Sequence, residues 1–211
     1  MKKLSVFVAK SMALATMVLA FGASTMSAQA PVKRVLVEEG TGAWCGYCPR
    51  GATTLINTIE KYPGKVIGVA VHNADQMSIT NEPEYSSAYM NGYPNMTVDR
   101  KRFSVSGAKP GMSDGSIVGP IIQQMGVAAK VDVKLENVVY NSGSRTITVD
   151  VKADFVTSVS GDLRLNLYVV EDSVKGSGTG YDQANYMNGE STSPWYNKGN
   201  PIKNFWHRHV L

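Results

Sequence analysis

The sequence predicts an α/β domain followed by an all-β, sandwich-like domain, on three observations. Short, nearly continuous apolar runs at Val35, Leu36, Val37 and again from Val66 to Val71 alternate with segments whose apolar residues step by three or four. The chain holds only two cysteines, Cys45 and Cys48, placed where the first apolar run gives way to the first helical pattern. After about residue 127 the texture changes to alternation of apolar and polar residues, the signature of strands with one wet face.

Residues 1–30 stand apart. Lys2 and Lys3 are followed by an apolar run from Met12 to Phe21 and by Ala28-Gln29-Ala30. The run is too short to span a bilayer, and the pattern reads as a secretory signal peptide cleaved after Ala30. No cysteine lies near that point, so lipid attachment through one is excluded. The whole chain carries a formal charge of +4, but Lys2, Lys3 and Lys10 belong to the leader, which has no acid, so the remainder is close to neutral at +1. Nothing in that remainder resembles a nucleic-acid footprint. The cluster Arg100, Lys101, Arg102 beside Asp99 reads as a solvated hairpin turn. Export places the protein in the periplasm or at the outer membrane and cell surface, where disulfides persist. With neither a lipid-bearing cysteine nor a spanning segment, any outer-membrane association would be peripheral.

The first block, residues 31–127, reads as strand, helix, strand, helix, strand, strand, helix. Val35 to Glu38 forms the first strand and Gly40-Thr41-Gly42 the loop after it. From Pro49 the residues Ala52, Leu55, Ile56, Ile59 and Tyr62 mark one helix face. Pro49 is tolerated in a first turn, where no intrahelical N–H bond is lost, and Pro63-Gly64 ends the helix. Val66–Val71 has the composition of a strand covered on both faces. A second helix begins at Asn81 or Glu82, carries Tyr85, Ala88 and Tyr89 inward, and ends by Gly92. A strand near Asn95–Val98, a tight basic turn and a partner strand near Phe103–Val105 follow. Ile117, Ile121, Ile122 and Met125 mark a last helix.

The second block, residues 128–211, alternates at Val131, Val133, Leu135, Val138, at Ile147, Val149, Val151, and most cleanly at Leu163, Leu165, Leu167, Val169, with turn signals at Asn141-Ser142-Gly143 and Ser160-Gly161. The simplest architecture is an immunoglobulin-like sandwich. A polar stretch rich in Gly, Asn and Tyr from Gly176 to Asn204 reads as a long loop or insertion. Phe205 to Val210 reads as the opening of another strand, and the block is shorter than the roughly 100 residues of a full sandwich, so a truncated domain is expected.

Cys45 and Cys48 carry the chemistry. A Cys-x-x-Cys pair at a strand-to-helix junction is the usual arrangement for thiol–disulfide exchange. A first cysteine at the helix N-terminus faces unpaired N–H groups and the positive end of the dipole, which favour its thiolate, the attacking species. The second, one turn on, resolves the mixed disulfide. The plainer alternative is a structural staple, although a single pair closing so short a loop removes less denatured-state entropy than a long one. His72 lies where it could reach Asp75 through a loop hydrogen bond. His207 and His209 would share a strand face, yet two histidines without a third ligand make a weak metal set, and no metal is expected.

The element order resembles the thioredoxin fold. In addition, Val37-Glu38-Glu39, the run Thr41-Gly42-Ala43-Trp44-Cys45-Gly46-Tyr47-Cys48-Pro49-Arg50, His72-Asn73-Ala74-Asp75, Gly92-Tyr93-Pro94 and His207-Arg208-His209-Val210-Leu211 together resemble a Bacteroides-type family named for a 28-kilodalton outer membrane protein, whose members pair a thioredoxin-like domain with a β-sandwich. The resemblance implies a cis peptide before Pro94 and a substrate groove shaped by Trp44, Gly46, Tyr47, Tyr93 and Pro94. Plain packing accounts for Trp44 equally well. Glu38 or Glu39 would lie near the buried acid that relays protons to the second cysteine, although an exposed glutamate is the simpler expectation. The activity implied is exchange with protein thiols or disulfides, aided by an unidentified redox partner and needing no cofactor. The rival is a non-catalytic envelope protein with an inert disulfide. Gly46-Tyr47 resembles the dipeptide of periplasmic isomerases and oxidases and departs from that of thioredoxin, so the direction of electron flow stays open.

Overall fold

In a computed structural model, residues 30–211 are described, and the expected leader lies outside them but for Ala30. Residues Pro31–Leu211 form one compact unit of mixed α/β structure with two small sheets. The first sheet has the order β2-β1-β3. Its central strand β1 (Val35–Thr41) runs parallel to β2 (Val66–His72), with Val35 opposite Val66 and Thr41 opposite His72. It runs antiparallel to β3 (Asn95–Val98), with Val37 opposite Val98. Helix α1 (Cys48–Lys61) crosses between β1 and β2, α2 (Glu82–Tyr89) precedes β3, and α3 (Val118–Met125) follows a 3-10 turn at Asp114–Ser116.

Both faces of this sheet are covered, which explains its nearly continuous apolar strands. Val35, Val37, Ala70, Met96 and Val98 pack on one side with Leu55 of α1 and Ile117 and Ile121 at α3. Val69 and Val71 pack on the other with Tyr85 and Met90, joined by Leu36 and Tyr168. Because neighbouring residues of a strand point to opposite faces, Glu38 and Glu39 enter different layers, and both are buried. The expectation of an exposed glutamate is overturned: β1 is the central strand, and neither of its faces meets water.

The basic turn is also different from its expected solvated form. Asp99 and Arg100 take left-handed backbone angles, φ 48° and 52°. The turn lets Asp99 accept a hydrogen bond from the Leu36 amide at 2.9 Å and swings Arg100 over the sheet. There Arg100 donates to Glu38 at 2.8 and 2.6 Å, bonds the Tyr168 hydroxyl and lies 4.8 Å from the Tyr89 ring centroid. No strand forms at 103–105, because the place beside β3 is taken by Met112, which exchanges two backbone bonds of 2.8 Å with Met96.

Beyond α3, β4 (Val131–Asn141) and β5 (Thr146–Phe155) form an antiparallel hairpin with a register shift between Glu136 and Val139. Asn141 Oδ1 accepts from the amides of Gly143 and Ser144, both at 3.0 Å, and so shapes the expected turn. The run Leu163–Val169 does not continue this sheet, and among the described residues the sandwich amounts to two strands. Leu163, Leu165, Leu167 and Val169 are exposed; alternation alone supplies no partner strand. The chain then returns to the first sheet. Val174 pairs with His207, Glu171 with Val210, and Val210 lies parallel beside Ala70 of β2. The expected terminal strand is thus a set of isolated bridges along the edge of β2.

Removing Arg100 leaves Glu38 buried with the Thr97 hydroxyl, at 3.2 Å, as its remaining hydrogen-bond donor among the described residues. Arg100→Ala is expected to lower unfolding free energy by about 3 kcal/mol in urea titrations. A loss below about 0.5 kcal/mol would mean that the carboxylate finds water and that the pair is dispensable.

Candidate functional site

The segment between β1 and α1 is built from two linked turns. The Cys45 amide donates to Gly42 O at 3.0 Å and the Cys48 amide to Cys45 O at 3.1 Å. The helix itself starts at Cys48, with Tyr47 as its N-cap and Pro49 in the first turn. Cys45 therefore sits three residues ahead of the first helical residue, whereas the sequence pattern puts the first cysteine at the helix N-terminus. Cys45 and Cys48 are joined by a disulfide with an S–S distance of 2.06 Å. Both are buried, at 4% and 1% exposure, although Trp44 and Tyr47 beside them are about half exposed.

Pro94 follows a cis peptide, as the resemblance implies. The positions of Trp44 and Tyr93 are fixed by one polar network. Trp44 Nε1 donates to Asn73 O at 2.7 Å, Asn73 Nδ2 donates to Glu82 Oε2 at 2.7 Å, and the Tyr93 hydroxyl donates to Glu82 Oε1 at 3.1 Å. Ser86 bonds both Glu82 and Tyr93. The Trp44 and Tyr93 rings meet edge to face at 5.4 Å. Burial pushes the Tyr93 phenol above its ordinary pKa, so it serves as a neutral donor.

Asp75 ties the loop to the end of β2. Its carboxylate accepts from the Ala43 amide at 2.8 Å, from Met77 at 2.9 Å and from His72 Nδ1 at 2.7 Å. Burial opposes the charge, but these hydrogen bonds outweigh it and hold the Asp75 carboxyl below the usual carboxylate range. His207 stacks edge to face on His72 at 5.1 Å and bonds Tyr181 O at 2.8 Å; burial pushes its imidazole below the ordinary value. His209 turns elsewhere, 3.5 Å from Asp172. Among the described residues, no group of three His, Cys, Asp or Glu could hold a metal ion.

Glu39 is the candidate acid. It is 1% exposed, and its Oε1 has no hydrogen-bond partner among the described residues. A Cβ on Gly51 would fall 2.3 Å from that oxygen and 2.8 Å from Pro94 Cβ. Gly51 is therefore what allows the first turn of α1 to close over the carboxyl and Pro94. Burial, with the nearby charge of Asp114, raises the Glu39 pKa well above its ordinary value. Asp114 stays fixed by Arg50 at 2.7 and 3.1 Å. Glu39 and Cys48 line a common cavity of about 280 Å³, together with Gln183, Trp195, Phe205 and His207. Glu38, by contrast, faces the opposite side of the sheet with Arg100 and does not join the site.

The residues that sequence reasoning missed come from the polar stretch read as a loop. It has no long regular element, as expected, yet it lies against the cysteine motif. Gln183 Nε2 donates to the carbonyls of Gly42 at 3.2 Å, Ala43 at 3.3 Å and Cys45 at 2.9 Å. The Ala184 amide donates to Ala43 O at 2.8 Å and the Tyr186 amide to Gly46 O at 2.9 Å. Glutamine, asparagine and tyrosine among glycines have no periodicity that could reveal such a role.

No family model matches the sequence, and no curated protein matches it. Among solved structures, HBP35 of Porphyromonas gingivalis is similar at 24% identity with a TM-score of 0.40, covering 52% of this chain and 41% of that one. A structural-genomics protein of Agrobacterium tumefaciens is similar at 22% identity with a TM-score of 0.39, covering 52% of this chain and 53% of that one. The chain thus spans about half the length of each, or less.

The raised Glu39 pKa has a stability consequence. The folded state holds that proton more tightly than the unfolded state, whose carboxyl titrates near 4.5. Its contribution is complete below that pH and is lost as pH rises through the folded value. Glu39→Gln is expected to flatten this alkaline decline in urea titrations run across pH. Parallel profiles for the two proteins would show that the carboxyl is not held protonated.

Proposed function

We propose that this protein is an exported thiol–disulfide oxidoreductase of thioredoxin-like fold, acting on protein thiols or disulfides through Cys45 and Cys48. The observation that carries the reading is the oxidised pair, whose Cys48 lines one cavity with the buried carboxyl of Glu39. A substrate thiolate attacks Cys45 Sγ, the disulfide breaks, and the electron pair leaves on Cys48 Sγ, which takes up a proton. Glu39, protonated in its buried state, is the group on hand to supply it. A second thiol then releases Cys45 and leaves both cysteines reduced. The reverse sequence oxidises a substrate dithiol, with Glu39 receiving the proton. Trp44, Gly46, Tyr47, Tyr93 and Pro94 form the substrate groove in this reading. Membership of the outer membrane protein family, a periplasmic or surface location with peripheral membrane contact, and a separate redox partner are parts of the same proposal.

The second reading, a non-catalytic envelope protein with an inert disulfide, draws support from the burial of both cysteines. The two readings separate by reactivity. Cys45→Ser is expected to abolish dithiol-dependent insulin reduction, and Cys48→Ser to accumulate mixed disulfides with substrate proteins in cells. Equal insulin reduction by wild type and Cys45→Ser would sink the oxidoreductase reading.

A further inference from the structure

Two aromatic pairs flank the disulfide, and they differ in construction. Trp44 and Tyr93 are fixed through Asn73 and Glu82, as described above. Tyr47 and Tyr186 meet edge to face at 5.5 Å with an interplanar angle of 89°, and no side-chain hydrogen bond holds either ring among the described residues. Tyr186 lies flat on Gly46: a Cβ at that glycine would stand 2.3 Å from Tyr186 Cγ and 2.5 Å from both Cδ atoms. Tyr186 as a whole is nonetheless 61% exposed.

The backbone that carries this ring is firmly anchored. Asn185, fully buried, donates from its side chain to Trp195 O at 2.9 Å and Gly199 O at 3.0 Å, and its amide donates to Asn200 Oδ1 at 2.9 Å. Trp195 in turn donates to Thr53 of α1 at 3.1 Å. Ring rotation about the side chain is thus far easier than displacement of the segment. The ring thus covers Gly46, the residue next to Cys45, and Cys45 is itself buried.

We propose that Tyr186 is a specificity-determining residue of this site. Resting on Gly46, its ring closes the Cys45–Cys48 disulfide to thiols carried on folded protein surfaces and admits thiols on small molecules or on extended, flexible chain. The inference rests on the exchange chemistry proposed above. The step concerned is attack of an incoming thiolate on Cys45 Sγ, with the electron pair leaving on Cys48 Sγ; the second thiol of the same reductant then completes its own disulfide and frees Cys45. The ring changes only which thiolate can reach the sulfur, and a steric wall discriminates by differential access in the transition state.

The test compares two reductants on the oxidised full chain: dithiothreitol, a small dithiol, and reduced thioredoxin, a folded dithiol protein. Tyr186→Ala is expected to speed reduction by thioredoxin at least about tenfold while changing the dithiothreitol rate by less than about threefold. Tyr186→Phe is expected to behave as wild type, because the ring and not the hydroxyl closes the site. Equal acceleration with both reductants would show a generally loosened disulfide and overturn the proposal, as would unchanged rates with both or a Tyr186→Phe variant that matches Tyr186→Ala. Should Tyr186→Ala fail to fold by circular dichroism, Tyr186→Val carries the same expectation, since it too removes the ring from Gly46. A wild-type disulfide that dithiothreitol does not reduce would contradict the exchange reading itself, an outcome separate from loss of size selectivity alone.

Discussion

Buried backbone polar groups have to be paired, and the loop from Gly42 to Gly46 pairs only part of its own, through the Cys45 amide to Gly42 O and the Cys48 amide to Cys45 O. It must leave β1, turn twice and deliver Cys48 to the start of α1, so its carbonyls point away from any sheet or helix ladder. The Gln183 side-chain amide shares its two N–H groups among the carbonyls of Gly42, Ala43 and Cys45, and the Ala184 and Tyr186 amides add bonds to Ala43 and Gly46. That set of hydrogen bonds ties the last quarter of the chain to the cysteine motif. It explains why a stretch of glycine, asparagine and tyrosine with hardly any regular structure is ordered around buried side chains such as Gln183 and Asn185. The return of Val210 to the edge of β2 belongs to the same arrangement.

The adjacent glutamates of β1 show how a strand's alternation assigns chemistry. Glu38 faces the α2 side, where Arg100 neutralises it and the two form a structural ion pair. Glu39 faces α1, where it makes no ion pair among the described residues and Gly51 brings the helix close, so burial raises its pKa well above the ordinary value. One residue of register separates a carboxylate in an ion pair from a carboxyl whose burial raises its pKa beside a cysteine.

Much of the first block was legible because local patterns and tertiary environment agree there. Val35–Val37 and Val66–Val71 are strands covered on both faces, the spacing from Ala52 to Tyr62 is that of a helix, and Asn95–Val98 is a strand at the expected bounds. The misreadings have particular causes. Phe103–Val105 has strand composition, but Met112 already occupies the edge of β3. Leu163–Val169 alternates without a neighbouring strand to pair with. At Glu38 or Glu39 an exposed glutamate is the preferred reading because their offset from the motif differs by about one residue from that of the buried acid in thioredoxin, and the sheet's central strand buries both all the same. Cys45 and Cys48 were visible as a motif; Gln183 and Tyr186 were not, because contacts 138 residues or more distant in sequence, such as Gln183 with Cys45, leave no local trace.

The account as a whole turns on whether the Cys45–Cys48 disulfide is exchangeable under biological redox conditions or a staple. Its reduction potential, measured by equilibration with glutathione redox buffers and mass-spectrometric counting of free thiols, decides between them. The expected result is a value between about −270 and −120 mV, the range spanned by exchange-active pairs. A value below about −300 mV, where structural disulfides lie, would contradict the central claim.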